Sequence, residues 1–207
     1  MTQASCFHFY MIRRYAHLFS KILLTCFLTL LALVATPRSV AYAAEVDITT
    51  MKLESYEDGY RMVAAFSFEL SRGLEDAISG GIPVYFTTEV ELTRPRWYWF
   101  DEKTIRSSQT VRIAYNIWTR KYTAAINGGV QQTFSTLEDA LALVLRPRRW
   151  QVTDKAGLSA GATYNVAVRL KLDVNRLPGP FHVTALNNSD WRLSSDWKRF
   201  TFKADEK

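Results

Sequence analysis

Tyr164-Asn165-Val166-Ala167-Val168-Arg169-Leu170-Lys171-Leu172-Asp173-Val174 alternates without a break. Its even positions are Tyr, Val, Val, Leu, Leu and Val, and Asn165, Ala167, Arg169, Lys171 and Asp173 stand between them. Successive strand side chains point to opposite faces, so this stretch has one face in a core and one in water. The same period recurs upstream. Val84, Phe86, Thr88, Val90 and Leu92 alternate with Tyr85, Thr87, Glu89 and Glu91. Val111, Ile113, Tyr115 and Ile117 make another inward row, and Tyr122, Ala124 and Ile126 one more. Tyr60 to Leu70 repeats the pattern less cleanly, with Phe66, Phe68 and Leu70 inward.

Turn residues fall where such a meander needs them. Glu57-Asp58-Gly59, Asn127-Gly128-Gly129 and Asn187-Asn188-Ser189-Asp190 supply left-handed or Asx-type positions. Two short helices interrupt the strands. One covers Leu74 to Ser79 and ends at Gly80-Gly81. The other opens on a capping box, Ser135-Thr136-Leu137-Glu138, and is stopped by Pro147. Seven or so antiparallel strands with two short helices predict a mainly β, sandwich-like single domain over residues 44–204. Residues 205–207 read as a frayed tail.

Upstream of this domain the chain changes character. Arg13, Arg14 and Lys21 precede an apolar run from Ile22 to Ala35, and Ala41-Tyr42-Ala43 offers a small-x-small cleavage site. A membrane-spanning helix needs about 20 apolar residues, and this run is shorter and holds Thr25 and Thr29. Residues 1–43 therefore read as a secretory signal, with an uncleaved anchor as the alternative. Translation starting at Met11 rather than Met1 would give a compact basic n-region. The expected location is the periplasm, or the inner membrane facing it, with membrane association only through an uncleaved leader.

That division removes much possible chemistry. Cys6, Cys26, His8 and His17 all lie in the leader, which leaves His182 as the one histidine after residue 43. Thiol catalysis, disulfides and zinc sites built on cysteine or paired histidine then fall away, and no metal or cofactor is expected. The full chain carries a net charge of +6, but Arg13, Arg14, Lys21 and Arg38 face no acid in the leader. Subtracting those four from 26 basic residues leaves 22 against 20 acids, a net of +2. Nucleic-acid binding, which needs a concentrated basic face, loses its support.

Two basic-aromatic clusters are the candidate binding surface. Arg94, Arg96, Trp97 and Trp99 come from Arg94-Pro95-Arg96-Trp97-Tyr98-Trp99, and Arg148, Arg149 and Trp150 from Arg146-Pro147-Arg148-Arg149-Trp150. Arginine grips phosphate or carboxylate in a fork and stacks on indole. An anionic envelope ligand is one expected occupant. The competing reading is solvated arginines lying over tryptophan edges.

Carboxylates supply a rival class, a hydrolase acting on envelope glycan with two of Asp190, Asp196, Glu89 and Glu91. On a straight strand Asp190 and Asp196 stand about 20 Å apart, beyond the roughly 5–9.5 Å of a glycosidase pair. Asp190 reads better as a cap of the preceding turn. Glu89 and Glu91 share a strand face with no basic partner apparent locally, so a solvated outer face is the default. His182 follows the Pro178-Gly179-Pro180 bend, and no Gly-x-Ser-x-Gly elbow accompanies it. No catalytic constellation is recognisable. A third reading is a structural envelope subunit whose aromatics pack against a neighbour.

Five segments carry a family resemblance: Pro95-Arg96-Trp97-Tyr98-Trp99, Tyr115-Asn116-Ile117-Trp118-Thr119-Arg120-Lys121-Tyr122, Phe134-Ser135-Thr136-Leu137-Glu138-Asp139-Ala140-Leu141, Leu177-Pro178-Gly179-Pro180-Phe181 and Asp190-Trp191-Arg192-Leu193-Ser194-Ser195-Asp196-Trp197. Together they resemble an uncharacterised family of exported proteobacterial proteins, domain of unknown function 4390. The resemblance implies a signal-bearing envelope protein with no assigned activity, catalytic residue or cofactor. It also implies an accessory role beside a membrane sensor kinase. The expectation is thus a periplasmic binding or protein-interaction module whose partner is an envelope protein or an anionic envelope ligand.

Overall fold

In the computed structural model, which describes residues 46–95, 102–147 and 150–205, the alternating rows become two antiparallel sheets around one core. The chain order is β1 (Asp47–Ser55), β2 (Gly59–Ser67), α1 (Arg72–Ser79), β3 (Val84–Arg94), β4 (Glu102–Asn116), β5 (Lys121–Ile126), β6 (Gln132–Phe134), α2 (Leu137–Leu145), β7 (Trp150–Asp154), β8 (Thr163–Leu172), α3 (Gly179–Asn187) and β9 (Lys198–Lys203). The larger sheet runs β6-β5-β4-β3-β8-β9 and the smaller β1-β2-β7. A mainly β sandwich-like domain is the outcome.

Register explains why the alternation was so legible. Val90 stands opposite both Ser107 of β4 and Val168 of β8, and Phe86 opposite Val111 and Leu172. Paired residues share a face, so the inward rows of three strands coincide. Every even position from Tyr164 to Leu172 is buried. From the other sheet Tyr60, Met62, Ala64 and Phe66 of β2 enter the same core. Leu74 and Ile78 of α1, and Ala140 and Val144 of α2, complete it.

Strand β1 was not expected, and its burial pattern shows why. Ile48 and Leu53 are its buried apolar residues, and a bulge between Ile48 and Thr50 shifts the pleat by one residue, which erases a period-two signal.

The helices differ from the sequence reading in two ways. The N-cap of α2 is Thr136, whose Oγ1 accepts the Asp139 N–H at 3.1 Å, so the cap sits one residue later than the expected box at Ser135. A third helix, α3, replaces the bend expected at Pro178-Gly179-Pro180. Pro180 falls in its first turn, where a helix has no use for the missing N–H. The Asn127-Gly128 turn forms as read, with φ of 49° and 71°.

The tail expectation is also corrected at Asp205. Its carboxylate accepts from Ser55 Oγ and lies 3.0 Å from Lys155 Nζ, and its carbonyl accepts the Gly161 N–H at 3.2 Å. Lys198 of β9 reaches Asp47 of β1 at 2.6 Å, so the two sheets are joined at that edge.

Candidate functional site: a charge-paired groove on the outer sheet face

Odd positions of β3 and β8 face away from the core. Register sets Glu89 opposite Arg169 on one side and Ser108 on the other, and Glu91 opposite Ala167 and Arg106. Charges pair along these rungs and one diagonal. Glu89 Oε2 accepts from Arg169 Nε at 3.1 Å and Nη2 at 2.5 Å, while Lys171 Nζ lies 2.7 Å from Oε1. Glu91 meets Arg106 Nε at 2.9 Å. Along their own strand Glu89 and Glu91 have no basic partner, but across the sheet both do, so the expected solvated outer face is a charge-paired one. The partners come from neighbouring strands, invisible along one strand.

An indole closes the row. Continuing the β8–β9 register one residue back from Lys198, which pairs with Val168, places Trp197 opposite Arg169. The Arg169 guanidinium lies over the Trp197 ring, 4.5 Å from its centroid. Glu89, Glu91, Arg106, Ser108, Arg169 and Trp197 line a groove of about 380 Å³. Burial works to raise the Glu89 pKa, but hydrogen bonds from Lys171 and Arg169, and their charges, outweigh it and hold the carboxyl below the usual range. On the next rung of the same outward face Thr87 and Thr110 share a buried hydroxyl hydrogen bond at 2.9 Å.

The sequence-predicted surface does not assemble from its described members. Arg96, Trp97, Trp99, Arg148 and Arg149 lie outside the described residues. Arg94, half-buried at the end of β3, donates from Nη1 to Ser159 Oγ at 3.4 Å. Trp150 is 4% exposed and belongs to the core, where its indole N–H donates to Ser107 Oγ at 3.1 Å. It is a packing residue, because β7 crosses the inner face of β4.

Asp190 and Asp196 are both exposed. Asp190 does not cap its turn; Asn188 Oδ1 accepts the Asp190 N–H at 2.9 Å, and the Asp190 carbonyl accepts from Ser71 Oγ. His182 lies in α3, its Nε2 3.3 Å from Asn175 Oδ1. Among the described residues no group of three His, Cys, Asp or Glu is placed to hold a metal ion.

Fold and groove together define a two-sheet β domain with an outer-face site of paired charges and one indole wall. The chain belongs to the family described as Domain of unknown function (DUF4390), whose model matches residues 43–201. It matches no curated protein and no solved structure.

Proposed function

We propose that this protein is an exported binding module of the cell envelope, and that the outer-face groove is where it takes its partner. The observation that carries this reading is the engagement of both groove carboxylates by cations from adjacent strands. Glu89 is held by two cations and Glu91 by Arg106. A glycosidase acid needs a raised pKa, supplied by an apolar setting or a like charge. Here the cations act in the opposite direction on Glu89. Prearranged donors and acceptors beside an indole suit recognition of a polar ligand or polypeptide without chemistry.

Spare valence supports the same reading. Arginine has five donors in a fork. Arg106 spends Nε on Glu91, its side chain is 65% exposed, and it lines the groove. An anionic or hydroxyl-rich group of an envelope component fits those donors. Residues 1–43 supply the export signal in this reading, and an accessory role beside a sensor kinase is one setting for it.

The test places a photoreactive residue at Ser108 in the full chain and crosslinks in intact cells. A single envelope protein or glycan should be captured at Ser108, and capture should fail when Arg106→Ala and Trp197→Ala are added. Capture from a control position, Lys52, with none from Ser108 would remove the groove as the site. The N-terminus of the periplasmic form, expected at Ala44, checks export.

A further inference from the structure

The six exposed large apolar side chains among the described residues are Tyr56, Ile117, Trp118, Val130, Val183 and Leu186. Four of them sit in two elements that leave the larger sheet at the same end. Val84 pairs with Ile113 and Phe86 with Leu172, so the turn after β4 and the segment after β8 depart together. Trp118 is 94% exposed at the tip of the β4–β5 turn, and Ile117, expected to end an inward row, lies past the end of β4 at 63% exposure. Helix α3 turns Ala185 and Phe181 to the core and leaves Val183 and Leu186 at 61% and 52% exposure. Their spacing of three residues puts both on one side of the helix.

We propose that this end of the molecule docks on an anionic lipid surface, with Trp118 and Ile117 entering the headgroup region and Arg120 and Lys121 meeting lipid phosphates. Backbone chemistry fits that environment. Asn116 Oδ1 accepts the N–H groups of Trp118 at 3.0 Å and Thr119 at 3.1 Å, so two tip amides carry partners that do not depend on water. The same side chain fixes the turn, and Arg120 adopts a left-handed φ of 53°. A Trp held this way loses little freedom on insertion, and indole settles where one edge is apolar and the other wet.

Charge selects the surface. From Lys103 to Leu137 the chain has Lys103, Arg106, Arg112, Arg120 and Lys121 and no acid. Arg106 is engaged by Glu91. Arg120 and Lys121 are exposed, and among the described residues neither has an ion-pair partner. Acids at this end belong to other elements: Glu75 and Asp76 on α1, Glu138 and Asp139 in the first turn of α2, which follows the pairing of Phe134 with Tyr122, and Asp173, which is paired with Arg176 at 3.3 Å. A convex apolar tip with two available cations beside it matches a phosphate-rich interface. The sequence expectation confined membrane association to the leader, so this adds a second contact, independent of the groove.

The test uses the full chain with vesicles of phosphatidylethanolamine and phosphatidylglycerol whose acyl chains carry bromine, a short-range quencher of tryptophan. Emission should be quenched, and Trp118→Phe should remove the quenched component whether or not the leader also holds the chain on the vesicle. Arg120→Gln with Lys121→Gln should weaken the Trp118 quenching contact roughly 25-fold, the equivalent of ~1 kcal/mol per basic residue at an anionic surface. Circular dichroism should show all variants folded. Unquenched Trp118, or equal quenching in phosphatidylcholine vesicles, overturns the proposal. So does light scattering that shows dimers of the full chain lost in Trp118→Phe, which would assign the tip to a second copy.

Discussion

At the residue scale, one tryptophan departs from the role its neighbours suggest. Trp150 stands next to Arg148 and Arg149 in the sequence, yet it is buried and bonded to Ser107. Trp150→Ala should cost about 3–5 kcal/mol in urea unfolding, the range for truncating a core aromatic, and should leave Ser107 without its donor. Arg94→Ala should cost less than Trp150→Ala, because Arg94 is half-buried at the end of β3 rather than in the core. Equal costs for the two would refute this placement. Glu89 gives a pH prediction. Its folded-state pKa is lowered, so its contribution is complete above the unfolded value near ~4.3 and fades as pH falls through the folded one. The stability gap between wild type and Glu89→Gln should be widest at pH 7 and close in acid. A gap that is constant from pH 7 to pH 3 would contradict the cation pairing.

At the element scale, the cap of α2 separates two registers one residue apart. Thr136→Ala should destabilise by about 1 kcal/mol, whereas Ser135→Ala should be close to neutral. The reverse order, read from thermal melts, would restore the cap at Ser135. This shift shows what was and was not legible in the sequence. The rows of β3, β4, β5 and β8 were readable because a strand with one buried face writes its burial directly into alternate positions. β1 escaped because its bulge breaks the alternation. Helix α3 escaped because a proline that forbids a helix interior is permitted in a first turn. The groove was half legible: Glu89, Glu91, Arg169 and Lys171 all stand on outward rows. What brings them together is the pairing of strands whose paired residues lie about 80 positions apart, and no local pattern encodes it. Only the β8–β9 register turns Trp197 toward Arg169.

At the scale of the whole molecule, protection should follow the sheet order. β3 is hydrogen-bonded on both sides along most of its length and buried on its inner face. Its central amides and those of β8 should be the last to exchange with deuterium, and those of β6 and α3 among the first. Amides of α3 lasting as long as those of β3 would show that the end carrying Val183 and Leu186 is stiffer than its packing implies. Joining the first strand to the last has a further consequence, in time. Lys198 grips Asp47 and Ser55 donates to Asp205, each across some 150 residues of chain, while Lys155 holds Asp205 from 50 residues away. β8 likewise waits for β9, and β3 for β8. A ribosome must therefore deliver nearly the whole chain before the larger sheet is complete and joined to the smaller one. Until then the nascent protein stays open.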